Sequence, residues 1–186
     1  QAAPGDVVLL HGCCHNPTGV DLDDDAWRAV AEIAVAKGLL PLIDLAYPGL
    51  GDSVEDDVAG VRILLEHCEN ALVALSCSKS FGLYRDRTGV LLMLSSAEAT
   101  AANLAQVAAG HARLLWSNPP DHGAALVRII LSSDDLTGLW RAELDAMRVR
   151  VNALRAQLAA LALPRLDLSA LSRQRGMFAL LPLSEA

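Results

Sequence analysis

The sequence predicts an α/β fold: a mostly parallel sheet with flanking helices, running into one long helix that leads to part of a smaller domain. Three observations carry this. Residues 6–10, 39–43 and 71–75 are short apolar runs without polar alternation, the pattern of strands buried on both faces. Helical stretches separate these runs, which favours parallel neighbours. Residues 134–161 carry an apolar periodicity longer than any other in the chain.

The first run passes into His11-Gly-Cys-Cys-His15-Asn16-Pro17-Thr18-Gly19, a loop by its Gly and Pro content. Residues 21–37 follow as a helix. Asp23, Asp24 and Asp25 occupy its first turn, where the helix dipole favours acids, and Gly38 stops it. Its apolar positions Trp27, Val30, Ile33 and Val35 lie close to one face. The second strand ends at Asp44. A loop over 46–53 then carries Tyr47, Pro48, Gly49 and Gly51. Residues 55–66 form a weaker helix. The third strand runs into Ser76-Cys-Ser-Lys79, and 89–94 is a fourth strand.

The later part changes character. Residues 97–111 read as an Ala-rich helix, 113–120 as a loop, and 123–131 as a helix. The long helix over 134–161 has a cap at Ser132 or Ser133, acids Asp134 and Asp135 in its first turn, and Pro164 beyond its end. Leu139, Leu144, Met147, Val151, Leu154, Leu158 and Leu161 mark an apolar stripe, read as core packing rather than as a coiled coil. The domain boundary is expected inside this helix, dividing residues 1–140 from 141–186.

The composition excludes several classes. A net charge of −7 opposes a nucleic-acid backbone as the main partner, since phosphate contacts need clustered Lys and Arg. The apolar runs are too short to cross a bilayer, so no membrane partner is expected. Cys13, Cys14, Cys68 and Cys77 show no disulfide spacing, which favours a reducing cytoplasm. His11, Cys13, Cys14 and His15 invite a zinc reading. Adjacent cysteines lack the usual C-x₂-C spacing and no second ligand pair follows, so they are expected to pack under the loop instead.

Lys79 is the residue around which the chemistry gathers. The chain has two lysines, Lys37 and Lys79, against thirteen arginines. A lysine at the end of an apolar strand is an expensive placement, because desolvation disfavours a charged amine. A lysine amine freed of its proton attacks carbonyls and forms Schiff bases. In parallel sheets ligands collect at the carboxyl ends of the strands. Three such ends carry polar groups: Asn16, Asp44 with Tyr47, and Lys79.

Four ordered motifs then carry a resemblance. His15-Asn-Pro-Thr-Gly19, Asp44-Leu-Ala-Tyr47, Ser76-Cys-Ser-Lys-Ser-Phe-Gly-Leu-Tyr-Arg-Asp-Arg87 and Trp116-Ser-Asn-Pro-Pro120 together resemble the aspartate and aromatic amino-acid aminotransferases of the fold-type-I pyridoxal-phosphate enzymes. The resemblance covers essentially the whole chain. It implies that Lys79 holds pyridoxal 5′-phosphate covalently and, once freed by the amino acid, moves the proton. It implies that Asp44 pairs with the protonated pyridine nitrogen, keeping the ring an electron sink. Tyr47 and Asn16 would hydrogen-bond the ring's 3′ oxygen, across a cis Asn16–Pro17 bond. Ser76, Ser78 and Arg87 would bind the phosphate; Arg85 lies close by, but the spacing from Lys79 favours Arg87. Arg113 would reach the neighbouring subunit's site and pair with a distal carboxylate. The implied assembly is a homodimer, and the implied substrates are small amino acids and 2-oxo acids such as aspartate, glutamate and 2-oxoglutarate. An aromatic substrate would require Arg113 to swing away.

The sequence departs from the family at Ser80, where many relatives carry Asn, and at Arg85-Asp86, which replace a common Asn-Glu pair; neither position is expected to be chemically essential. The family's Gly-rich phosphate loop, its ring-stacking aromatic residue and its α-carboxylate arginine fall outside these residues. The chain is therefore expected to be a piece of a longer enzyme and inactive alone. Two rivals stand beside this reading: a lyase or decarboxylase on the same fold, and a non-catalytic dimerisation remnant.

Overall fold

The structure is a computed structural model and describes residues 2–164 and 166–183. Its sheet has four strands, β1 (Val7–His11), β2 (Leu40–Leu45), β3 (Ala71–Ser76) and β4 (Gly89–Leu94), in spatial order 1-2-3-4. β1, β2 and β3 are parallel, with His11 beside Asp44 and Asp44 beside Ala74. β4 runs antiparallel to β3. The reason is the connection. A parallel return needs a crossover, usually a helix, whereas residues 77–88 contain no helix and turn straight back.

Side chains alternate across a strand. Ile43 and Leu45 point to one face of β2 and are buried; Leu42 and Asp44 point to the other and are half-buried. Helices α1 (Asp24–Lys37) and α2 (Ala59–His67) cover the first face. Trp27, Ala31 and Ala34 of α1, Val61 and Leu64 of α2, and Ile43, Leu45, Ala71 and Val73 of the sheet form one core. Each large apolar side chain removed from water there contributes about 1.5–3 kcal/mol. Gly60 lets the two helices meet, because a Cβ at that position would collide with the Trp27 indole. The opposite face is less covered. Val7 and Leu9 of β1 are 55 % and 62 % exposed, so the strand expected to be buried on both faces is half-buried on one and open on the other.

The helix ends follow their side chains. Asp23 is the N-cap of α1 rather than a first-turn residue, its carboxylate accepting the Ala26 N–H at 2.8 Å. Gly38 ends the helix at φ +63°. A single 3₁₀ turn, Asp56–Val58, precedes α2, so the weaker helix starts irregularly. α3 spans Glu98–Trp116 and α4 spans His122–Leu131. Residues 113–116, expected in a loop, are therefore the last turn of α3. Arg, Leu and Trp all tolerate a helix, and the break waits for Ser117 at φ +63°. α5 spans Asp134–Ala159, and Ser133 is its cap, accepting from Leu136 N–H at 3.4 Å.

The apolar stripe of α5 does not pack as expected. Leu144 is buried, but Leu139, Leu154, Leu158 and Leu161 are 49–65 % exposed. The helix docks through Trp140, Leu144 and Arg155, a face that shares only Leu144 with the buried part of the stripe. No helix among the described residues is long and apolar enough to cross a membrane.

Candidate active site

The carboxyl ends of β1, β2 and β3 lie side by side, and each passes into a loop held by hydrogen bonds from outside itself. At the β1 tip, Gly12 N–H donates to Asp44 O at 2.8 Å, tying the first loop to β2. A Cβ on Gly12 would press on the Leu45 side chain, so the turn packs closely on the core. The Asp21 carboxylate accepts the N–H groups of Cys14 and His15 at 2.8 and 2.9 Å. Asn16 N–H donates to His11 Nδ1 at 3.1 Å, and the Asn16–Pro17 bond is cis. These contacts fix the backbone on both sides of the Asn16 amide.

At the β2 tip, Asp44 shares a sheet face with His11 and Ala74. Tyr47 follows, 6 % exposed. Burial pushes its phenol above the usual value of 10.0; the Asn16 side chain, hydrogen-bonding to it, pulls the other way, and the nearby Asp44 charge adds to the rise. The loop after Tyr47 is gathered by Asp57. Its carboxylate accepts N–H groups from Gly49, Gly51 and Asp52 at 2.8–2.9 Å. Burial raises the Asp57 pKa, and those three N–H donors oppose the rise.

At the β3 tip, Ser78 is buried and Lys79 half-buried. Lys79 Nζ lies over the Tyr47 ring, 4.8 Å from its centroid. Ser78 N–H donates to Ser76 Oγ at 3.1 Å. Arg87, at φ +52°, donates to Ser78 Oγ at 3.5 Å and to Tyr84 O at 3.0 Å. Ser76, Ser78 and Arg87 thus form one cationic, hydroxyl-lined corner beside Lys79.

Arg113 stands apart. It sits in the last turn of α3, exposed, with Asn118 Oδ1 at 3.5 Å. Among the described residues it makes no ion pair.

The zinc motif of the first loop does not assemble as four ligands. His11 and His15 face each other, with ring centroids 4.5 Å apart. Cys13 and Cys14 gather instead with Asp57, all within 4.8 Å. Asp57 is already occupied by backbone N–H groups. The Cys13 thiol is held far above the ordinary range, first by its hydrogen bond with Cys14 and then by burial.

Several supporting residues were not legible in the sequence. Asp21 and Asp57 act at a distance of five to eight residues, where any acid in a loop looks alike. Residues 174–178 pack onto the first two loops. Arg175 N–H donates to Gly19 O at 2.7 Å and its guanidinium pairs with Asp52 at 3.0 Å. Arg155 of α5 donates to Gly176 O, and Phe178 meets the Tyr47 ring edge-on at 6.0 Å. The largely apolar cavity of about 480 Å³ between β3, β4, α4 and α5, lined by Leu75, Phe81, Val127 and Trp140, holds none of the polar cluster's amine or carboxylates.

The tips of three parallel strands thus gather an amine, a carboxylate, a phenol and a guanidinium beside two serines, at the sheet edge where α/β folds bind ligands. The sequence model of the family "Aminotransferase class I and II" matches residues 1–186, and the chain belongs to that family. It is 50 % identical to the tyrosine aminotransferase of Rhizobium meliloti across all of this chain and 48 % of that protein. It is 43 % identical to the aspartate aminotransferase of Pseudomonas aeruginosa over 92 % of this chain and 44 % of that protein. Its fold superposes with a TM-score of 0.91 on the aromatic-amino-acid aminotransferase of Burkholderia pseudomallei, a crystal structure described as covalently bound to pyridoxal phosphate; the identity is 42 %, over 95 % of this chain and 45 % of that one. The chain spans about half the length of the curated relatives it matches.

Proposed function

We propose that the intact protein is a pyridoxal 5′-phosphate-dependent aminotransferase, moving an amino group between an aromatic amino acid or aspartate and 2-oxoglutarate. One observation carries this reading: Lys79 Nζ lies 4.8 Å from the centroid of the Tyr47 ring, at the same sheet edge as Asp44. The donor set fits the cofactor group by group. An amine suits its aldehyde, a carboxylate its pyridine nitrogen, an amide and a phenol its ring oxygen. The corner of Ser76, Ser78 and Arg87 suits its phosphate.

When bound, the cofactor supplies a carbonyl for covalent capture of amines and a ring that withdraws electrons from the substrate Cα. The residues of this chain do the rest. Lys79 holds the cofactor and, when freed, carries a proton to and from the substrate Cα. Asp44 keeps a proton on the ring nitrogen. Asn16 and Tyr47 would hold the ring oxygen. Arg87 and the two serines anchor the far end, so the reacting atoms stay aligned.

Arg113 is exposed and away from this cluster, which suits a group serving a second subunit. We read it as the distal-carboxylate residue of a homodimer with shared sites. The division between the large domain and the second falls within α5, near residue 140, and the cytoplasm is the compartment that four free cysteines favour.

The test is borohydride reduction of the intact protein loaded with pyridoxal phosphate, followed by peptide mass spectrometry. The expected adduct is on Lys79. A stable adduct on any other residue overturns the assignment. Amino transfer to 2-oxoglutarate, followed in the same preparation, separates an aminotransferase from a lyase.

A further inference from the structure

Ser80 follows Lys79 directly and is 4 % exposed. Its hydroxyl donates to the Pro48 carbonyl at 2.7 Å. Its own carbonyl accepts from Trp140 Nε1–H, also at 2.7 Å. The next residue, Phe81, stacks on the Trp140 ring with centroids 4.5 Å apart and planes 9° from parallel. One short segment thus joins three parts of the molecule: the Lys79 turn, the Tyr47 turn and α5.

The two turns close on themselves. Gly82 N–H returns to Lys79 O at 3.2 Å, and Leu50 N–H returns to Tyr47 O at 3.1 Å. Each closure orders one turn and says nothing about where the other lies. The Ser80 hydroxyl bridges them, and it does so out of water, where a lost partner leaves the Pro48 carbonyl unsatisfied. Trp140 supplies the outer hold, with a ring stack and a donor on the same side chain.

Resting on the reading of Lys79 above, we propose that Ser80 is a positioning residue that sets the Lys79 amine against Tyr47, with Trp140 as its anchor from α5. It touches neither cofactor nor substrate; it acts through the two turns. The position set aside in the sequence as inessential is the joint between them.

Competitive labelling tests this without the cofactor. The intact protein, stripped of pyridoxal phosphate, is reductively methylated with a limiting reagent at fixed pH. The Lys79 to Lys37 ratio is then read by peptide mass spectrometry, with exposed Lys37 as the internal reference. Two variants are compared with the parent: Ser80→Ala, and Trp140→Phe, which keeps a ring over Phe81 but loses the donor. Both are expected to raise the ratio about threefold and to weaken pyridoxal phosphate binding about tenfold, the scale of one buried hydrogen bond. A fall in thermal stability with the ratio and the cofactor affinity unchanged in both variants overturns the proposal, since that is what a purely structural bond would produce. The labelling ratio needs no cofactor, so it decides the role of Ser80 even where borohydride trapping fails at Lys79.

Discussion

Lys79 Nζ and the Tyr47 ring stand 4.8 Å apart, although their turns follow different strands and their backbones are separated by α2 and β3 in sequence. A cation over an aromatic face gains about 0.5–2 kcal/mol, more as water is excluded. Phe178 closes the same ring from its edge at 6.0 Å. The phenol is thus braced on one side by an amine and on another by an aromatic ring.

The burial of Tyr47 has a pH signature. The Tyr47 phenol is raised above 10.0, chiefly by burial. A raised pKa means the folded protein resists losing this proton. The contribution is fully present below 10.0 and fades as the pH climbs through the higher folded value. In the cofactor-free protein, Tyr47→Phe should remove one ultraviolet ionisation step lying above that value. The parent's stability advantage over the variant should shrink in the same range, measured by denaturant unfolding. An ionisation step removed at or below 10.0 would contradict the burial argument.

Arg87 and Ser78 form the corner assigned to phosphate. Arg87→Ala should weaken pyridoxal phosphate binding by roughly 10–100-fold, the loss of a charge-assisted pair. Binding of pyridoxal, which lacks the phosphate, should hardly change. Equilibrium titration of the two ligands checks this, and equal losses for both would remove Arg87 from the phosphate role.

Shared sites in a homodimer can be tested by mixing. Lys79→Ala and Arg113→Ala subunits should each be poor with dicarboxylate substrates. After denaturation together and refolding, half the dimers are mixed and one of their two sites is intact, so about a quarter of parental activity should return. No recovery would mean that Arg113 serves its own subunit or none.

Gly176 sits at φ +78°, and a Cβ there would run into Cys14. Gly176→Ala should lower stability by about 1–3 kcal/mol, through backbone strain and the clash with the buried loop. Because Arg155 holds the Gly176 carbonyl, Arg155→Met should loosen the same segment. Thermal unfolding of both variants measures the effect; a neutral Gly176→Ala would show that the segment does not press on the Cys14 loop.

Most of the elements were legible. The three parallel strands, α1, α4 and α5 appear within a few residues of where apolar runs and caps predict them. The errors share a cause. Residues 113–116 looked like loop because Pro119 and Pro120 follow them, yet a proline limits only the residue before it and its own turn. The direction of β4 is not written in its five apolar residues; it follows from what connects it to β3. The α5 periodicity reveals an apolar face without saying what lies against it. Leu144 found the core, while Leu154 and Leu158 did not.

By itself the sequence determined the kind and order of the elements and the residue types at each strand end. Those depend on neighbours a few residues away: the cap at Asp23, the stop at Gly38, the small polar residues around Lys79. Only the tertiary structure decided which of those ends touch. The register that sets His11 beside Asp44 and Asp44 beside Ala74 brings three loops to one edge. Contacts from residues 140, 155 and 178 then hold them there. Such contacts bridge long stretches of chain, and their energy exists only once the sheet has formed, so no local pattern announces them.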